Sequence, residues 1–184
     1  MLTAKLILIG LRSYFPFLIP KNKKMTGGGG TNSARYCYTV WLRHLVKADK
    51  NGIQAYPSSV AELGPGDSIG VGLAALISGA EKYYGFDIIQ FANLKRNLNI
   101  FYELVSLFKN KADIPDATEF PRVNPELDSY GFPHHILTDE GLKKALDEAQ
   151  IKKIEQSILN VNNPLSTIKY AAPWCDSNVL EKNS

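Results

Sequence analysis

The sequence predicts an α/β fold, in which about three parallel strands form an open sheet flanked by helices. Three observations favour it. A short apolar strand, a glycine-rich turn, an apolar helix and a second strand follow one another between Ser59 and Asp87, a long amphipathic segment comes next, and a third strand-like segment lies near residue 170. The first of these is the order of a βαβ unit, whose strands are expected to be parallel.

Length and composition favour one domain and exclude several classes of function. The chain has 184 residues, a formal net charge of +3 and two cysteines, which is ordinary for one globular core. Acidic and basic residues are interspersed outside residues 21–24, so no nucleic-acid-binding face is expected. Cys37 and Cys175 are far apart and outside any CxxC pattern, so neither a disulfide framework nor a metal site is expected. Because no disulfide framework is expected, a reducing, cytoplasmic location is predicted.

Residues 1–30 are predicted to be an apolar segment followed by a glycine-rich linker, ahead of a domain at 31–184. Arg12, Pro16 and Pro20 interrupt the apolar segment, and no small-residue cleavage site is evident. We therefore expect neither a signal peptide nor a membrane span, and we expect a helix that docks on the domain.

The first helix of the domain is predicted over residues 34–47. Thr31, Asn32 and Ser33 supply the residue types that cap a helix amino terminus. The apolar positions then recur every three or four residues, at Tyr38, Trp41, Leu42 and Leu45. These aromatic side chains are expected in the core more than in a cofactor stack, and Arg35 is the residue of this helix to test for contact with a carboxylate.

The βαβ unit is predicted from residue 60 onwards. Residues 60–63 form the first strand, Gly64 to Ser68 form the turn, residues 69–77 form the helix, and Lys82–Phe86 form the second strand, which ends at Asp87. Gly79 follows the helix, in a position where a left-handed glycine commonly ends one.

A helical insertion is predicted between the second and third strands. The stripe from residue 91 to residue 108 indicates a long helix. Four prolines make 111–133 irregular, Thr138 is predicted to cap another helix, and a break is expected near Asp147. The third strand is predicted over 166–171, so that residues 111–160 form an inserted cap or substrate-selecting element.

The glycine turn is the place where chemistry is expected. A sharp turn from a strand into a helix presents unpaired backbone amides to the crevice beside it. Asp87 follows Gly64 by about the 20 residues at which an acid of the second strand meets a ribose in Rossmann-like folds. The dinucleotide fingerprint is incomplete, because Ile69 stands in place of its third glycine, and the carboxylate of Glu62 suits a cationic ligand better than a pyrophosphate.

The segment VAELGPGDSIG, residues 60–70, resembles the first motif of class I S-adenosylmethionine-dependent methyltransferases. The segment ARYCYTVWLRHL, residues 34–45, also resembles the preceding helix in a group of uncharacterised bacterial members. The resemblance implies a partial Rossmann-like fold that binds S-adenosyl-L-methionine. It implies the following cofactor-binding residues: Glu62, Gly64, Pro65, Gly66, Asp67, Ser68, Asp87, Ile88, Trp174, Cys175 and Asp176.

The resemblance also implies which part of the cofactor these residues would contact. Glu62, Gly64 and Gly66 would line the methionine end, Asp87 would bind the ribose, and Ile88 would pack on the adenine. The segment 174–176 would contact the adenine ring and its amino group. The alternatives are that the turn is only a turn, that Trp174 is a core anchor and that Asp176 caps a helix. His134 and His135 are expected on a surface loop.

Two departures from the family pattern limit what the resemblance implies. Ser68 stands where the family usually has glycine. Only three of the family's seven strands are expected, so the substrate half is expected to be missing, and the catalytic residues and the methyl acceptor are unassigned. The open edge of the first strand predicts self-association. The alternative functions are an NAD(P)-dependent oxidoreductase and a non-catalytic interaction module.

Overall fold

The computed structural model describes residues 30–53, 57–90 and 92–174. The apolar segment predicted before Gly30 and two of the predicted cofactor residues, Cys175 and Asp176, lie outside these ranges. Within them the chain forms five helices and three strands. In chain order these are α1 (Ala34–Lys50), β1 (Ser59–Leu63), α2 (Gly70–Ile77), β2 (Lys82–Phe86), α3 (Leu94–Lys109), α4 (Asp139–Ala145), α5 (Glu148–Leu159) and β3 (Ile168–Ala171).

The three strands form an open parallel sheet in the order β1-β2-β3. Glu62 pairs with Gly85 and Leu63 with Phe86, so β1 and β2 end together at one edge of the sheet. The predicted α/β class, a partial Rossmann-like arrangement with helices between the second and third strands, is confirmed. Among the described residues β1 has one neighbour, and its outer edge is open.

One face of the sheet packs against helices, and the other is partly open beside β1. On the packed face Tyr83 and Ile168 are fully buried. Gly72 of α2 lies so close to the Tyr83 ring that a Cβ atom there would overlap it, which explains a glycine inside a helix. On the opposite face Leu63 is 77% exposed.

Tyr38 and Trp41 of α1 belong to the core, as the periodicity predicts. Tyr38 is fully buried and donates a hydrogen bond to the carbonyl of Ala112 (2.7 Å). The indole of Trp41 donates to Ser78 Oγ (2.7 Å). The predicted cap is also confirmed, because Ser33 Oγ accepts a hydrogen bond from the Tyr36 amide. Because both rings are buried, neither is free to stack on a ligand.

The segment between α3 and β3 is irregular first and helical later. The chain is irregular from Asn110 to the α4 cap Thr138, and Asp147 caps α5, so the predicted break between two helices is confirmed. Ile154 and Ile158 of α5 are buried in the same core as α2 and α3. The carboxyl-terminal part of the predicted insertion is therefore part of the main core rather than a separate cap.

Arg43 fastens the irregular segment to α1. Its side chain is fully buried and donates to Thr39 Oγ1 (2.9 Å), to the carbonyl of Val123 (2.5 Å) and to the carbonyl of Pro115 (2.8 Å). The guanidinium carbon lies 5.0 Å from the centre of the Tyr130 ring. One cation thus satisfies two buried carbonyl groups and packs on an aromatic face.

Substitution of Arg43 should destabilise the fold strongly. We expect Arg43→Met to lower the free energy of unfolding by about 3 kcal/mol or more, because two buried carbonyl groups lose charged donors. Arg35→Met is the matched control. Its side chain is 48% exposed and paired with Glu119, so its loss should cost less than about 1 kcal/mol. Urea unfolding of both variants measures the difference, and equal losses would refute the role of Arg43.

Candidate functional site

The turn between β1 and α2 depends on two glycines. Gly64 and Gly66 have φ of +72° and +73°, a region that L-residues with side chains rarely adopt. The Gly64 amide donates to the carbonyl of Phe86 (2.7 Å), so the turn begins while the chain is still hydrogen-bonded to β2. Pro65 lies between the two glycines and is buried. The backbone is consequently shaped by glycine and held against the carboxyl end of β2.

The carboxylate of Asp87 ties this turn to the end of β2. Its Oδ2 accepts a hydrogen bond from the Gly66 amide (3.1 Å), and its Oδ1 accepts one from the Ile88 amide (2.7 Å). The residue is 6% exposed. Asp87 therefore stabilises the backbone of the site as well as lying beside it.

Two residues in the first turn of α3 form hydrogen bonds with the end of the glycine turn. Arg96 Nη1 donates to the carbonyl of Asp67 (2.9 Å) and lies 3.6 Å from the Asp67 carboxylate. The buried side chain of Asn97 accepts a hydrogen bond from the Ile69 amide (3.3 Å). Asp67 is thus directed towards α3 and its arginine.

The loop before α1 reaches the same turn through Ser68. This serine is fully buried, donates its hydroxyl to the carbonyl of Thr31 and accepts the Gly70 amide (3.0 Å). Thr31 Oγ1 is buried, has no hydrogen-bond partner among the described residues and lies 3.4 Å from where a Cβ of Gly66 would be. A free hydroxyl therefore points to the glycine turn, while the hydroxyl of Ser68 is used within the protein.

Glu62 and Asp87 lie on the same face of the sheet. Glu62 pairs with Gly85, and Asp87 is two residues further along, so alternation puts both side chains on one side. Tyr83 donates its hydroxyl to Glu62 Oε2 (2.7 Å). Burial raises the pKa of Glu62 to about 7, the Tyr83 hydrogen bond acts in the opposite direction, and the nearby charge of Asp87 raises it further.

A hollow of about 300 Å³ opens at the carboxyl ends of β1 and β2. It is lined by Leu63, Gly64, Phe86, Asp87, Ile88 and Trp174. Trp174 is 49% exposed, so it contributes an aromatic surface to the hollow and is not a core anchor. One carboxylate, one glycine backbone and four apolar side chains thus surround a space open to solvent.

The structure brings together most of the residues singled out from the sequence. Gly64, Asp87, Ile88 and Trp174 line the hollow. Glu62 does not line it, because its side chain lies on the face of β1 opposite Leu63, where it contacts Tyr83. The remaining described members, Pro65, Gly66, Asp67 and Ser68, form the turn itself.

Residues outside this cluster have other partners. Arg35 does bind a carboxylate, but that carboxylate is Glu119, held by two hydrogen bonds of 2.7 and 2.6 Å on the surface. His134 and His135 are exposed, and His135 lies 3.6 Å from Asp49. In the part of the chain that the structure describes, no group of three or more metal-ligating side chains is assembled, and no helix has the length and apolar character needed to cross a membrane.

Sequence reasoning missed four residues that build the site, namely Thr31, Tyr83, Arg96 and Asn97. The position of Asn97 could have indicated its role. It lies on the apolar stripe of α3, four residues before Phe101, and a buried polar residue requires a hydrogen-bond partner. Tyr83 has no comparable signal, since a tyrosine in a buried strand is ordinary. Thr31 is predicted from the sequence only as a helix-capping residue.

Comparison of the chain with protein-family models, with curated proteins and with solved structures finds no match to any of them. The arrangement of the side chains is therefore the basis for a functional proposal.

The raised pKa of Glu62 predicts a pH-dependent stability. A carboxyl whose pKa rises from 4.5 in the unfolded chain to about 7 in the folded one favours folding below pH 4.5, and this contribution is lost as the pH rises through 7. Glu62→Gln removes the titration and keeps an acceptor for Tyr83. Relative to the natural chain, it should gain up to about 3 kcal/mol between pH 4 and pH 8.

Urea unfolding at pH 4, 6 and 8 measures this gain. Glu81→Gln, at an exposed position just before β2, is the control for the same change in net charge. A stability difference between Glu62→Gln and the natural chain that does not change with pH would contradict the assignment.

Proposed function

We propose that this chain binds S-adenosyl-L-methionine as the cofactor-binding half of a class I methyltransferase, with a methyl acceptor that is not yet known. One observation carries the proposal. Glu62 and Asp87 lie on the same face at the carboxyl ends of two adjacent parallel strands, on either side of a turn with two left-handed glycines. Ligands of open α/β sheets bind in such a crevice.

Asp87 is suited to a ribose. An ionised carboxylate has about four lone-pair sites, and the amides of Gly66 and Ile88 use two of them. The others can accept the protons of two neighbouring hydroxyl groups. Because the amides fix the carboxylate, little side-chain freedom would be lost on binding.

Glu62 and Thr31 are suited to the methionine end. A cation near Glu62 would favour its charged form and offset the burial that raises its pKa. The Thr31 hydroxyl, beside Gly66, is buried without a partner among the described residues, so a ligand carboxylate that reaches the turn would supply its missing acceptor. The apolar surface of Ile88 and Trp174 suits the adenine, and the resemblance adds Cys175 and Asp176 there.

The nicotinamide alternative is less well supported. A dinucleotide places its pyrophosphate on free amides at a helix amino terminus. At the start of α2, the amides of Ile69 and Gly70 are already bound by Asn97 and Ser68. The negative charge of Glu62 would also repel a pyrophosphate.

Methyl transfer would rest mainly on holding the acceptor in line with the sulfonium methyl group. No residue is assigned to catalysis, so a binding module without chemistry remains the second candidate. The open edge of β1, beyond which no further described strand lies, favours that candidate.

Calorimetric titration separates the cofactor classes. We expect S-adenosylmethionine and S-adenosylhomocysteine to bind, and oxidised nicotinamide dinucleotide to give no binding heat. Binding of the dinucleotide alone would favour the oxidoreductase. Heat from none of the three ligands, with a chain shown by circular dichroism to be folded, would refute the proposal.

Removal of the Asp87 carboxylate should weaken cofactor binding. Asp87→Ala is expected to raise the Kd for S-adenosylhomocysteine by about tenfold or more, since charged hydrogen bonds to the ribose are lost. Asp128→Ala, at a surface position with a side chain that is 85% exposed, is the matched control and should bind normally. Calorimetry gives both constants, and an unchanged affinity in folded Asp87→Ala would exclude Asp87 from the site.

We further propose that the chain self-associates through the open edge of β1. Ala61 and Leu63 are exposed on this strand, and an unpaired apolar edge favours pairing with another copy. Light scattering at high concentration should show dimers or larger species, and Ala61→Lys should shift them to monomer because charge at an edge opposes pairing. A monodisperse monomer of the natural chain would contradict this proposal.

A further inference from the structure

A second cavity lies beside the first turn of α3, and we call it the α3 groove. It has a volume of about 350 Å³, and the polar residues that line it are Asn32, Asn93, Lys95, Arg96, Asn99 and Glu103. We infer that the α3 groove binds a small oxyanion, a carboxylate or phosphate group. Its identification as the acidic group of the methyl acceptor rests on the proposed function.

Both sides of the groove are connected to the glycine turn. On the α3 side, Arg96 lines the groove and also donates to the carbonyl of Asp67 in the turn. On the other side, Asn32 follows Thr31, whose carbonyl accepts the hydroxyl of Ser68. A molecule in the groove would therefore lie next to the turn that is proposed to hold the methionine end of the cofactor.

The electrostatics of this end of α3 favour an anion. Lys95 and Arg96 lie in the first turn of a 16-residue helix, and that turn contains no acidic residue. The positive end of the helix dipole adds to their charge. Glu103 is eight residues beyond Lys95, so the helix rise separates them by about 12 Å. The cationic end of the groove is consequently distinct from its acidic end.

The groove contains donors that no described residue uses. The side chains of Lys95, Asn32 and Asn99 have no hydrogen-bond partner among the described residues, and Arg96 uses only Nη1. The Asp67 carboxylate, at 3.6 Å, offsets part of the charge of Arg96 and fixes its orientation. Free guanidinium and ammonium donors on neighbouring residues suit the several acceptor oxygens of a carboxylate or phosphate group.

Titration with inorganic phosphate, followed by amide NMR without cofactor, tests the groove. Sodium chloride keeps the ionic strength constant. We expect saturable shifts of the amides of Asn32 and of residues 93–97 in the millimolar range. Lys95→Gln should raise the Kd for phosphate by about fivefold or more, as expected for loss of a charge-assisted hydrogen bond. Lys109→Gln, exposed in the last turn of the same helix, is the matched control and should leave the Kd unchanged.

Two results would overturn the inference. One is the absence of saturable shifts at these amides, and the other is an equal response of Lys95→Gln and Lys109→Gln. Titration of the same samples with S-adenosylhomocysteine separates this inference from the proposed function. Cofactor binding without a phosphate response overturns the groove alone. A phosphate response without cofactor binding supports the groove and refutes the proposed function.

Discussion

The hydrogen bond between the Asp87 carboxylate and the Gly66 amide is the contact on which the site depends. The Gly64 amide still pairs with the carbonyl of Phe86, but the Gly66 amide lies beyond β1 and before α2 and needs another acceptor. Asp87 supplies it from the end of the neighbouring strand. Because the same side chain lines the hollow, the group that fixes the backbone is also the group offered to a ligand.

Side chains from other elements accept further amides at the end of this turn. Asn97 from α3 accepts the amide of Ile69, and Ser68, anchored on the carbonyl of Thr31, accepts the amide of Gly70. The amides of Gly66, Ile69 and Gly70 are therefore bound by the protein before any ligand arrives. Such preorganisation lowers the entropy lost on binding. It also leaves fewer free amides for a pyrophosphate.

The elements of the fold could be predicted because their signals are local. The caps Ser33 and Thr138, the break near Asp147 and the recurrence of apolar positions place helices and strands to within a few residues. Parallel pairing then predicts that Glu62 and Asp87 meet at one edge. The bonds of Glu62 to Tyr83, and of Ser68 to the loop at Thr31, depend on distances that no local pattern encodes. For the same reason, the sequence could not reveal that α5 joins the main core.

The two carboxyl groups of the site have different environments, and this difference supports one orientation of a ligand. Asp87 is fixed by two amides and adjoins apolar Ile88 and Trp174, which suits neutral hydroxyl groups next to a flat ring. Glu62 is half-buried against Tyr83 with a pKa of about 7, so it is only partly ionised at neutral pH, and a nearby cation would favour its charged form. A ligand with a cationic centre at one end and an aromatic ring at the other satisfies both environments, whereas the reverse orientation leaves the cation facing hydrocarbon.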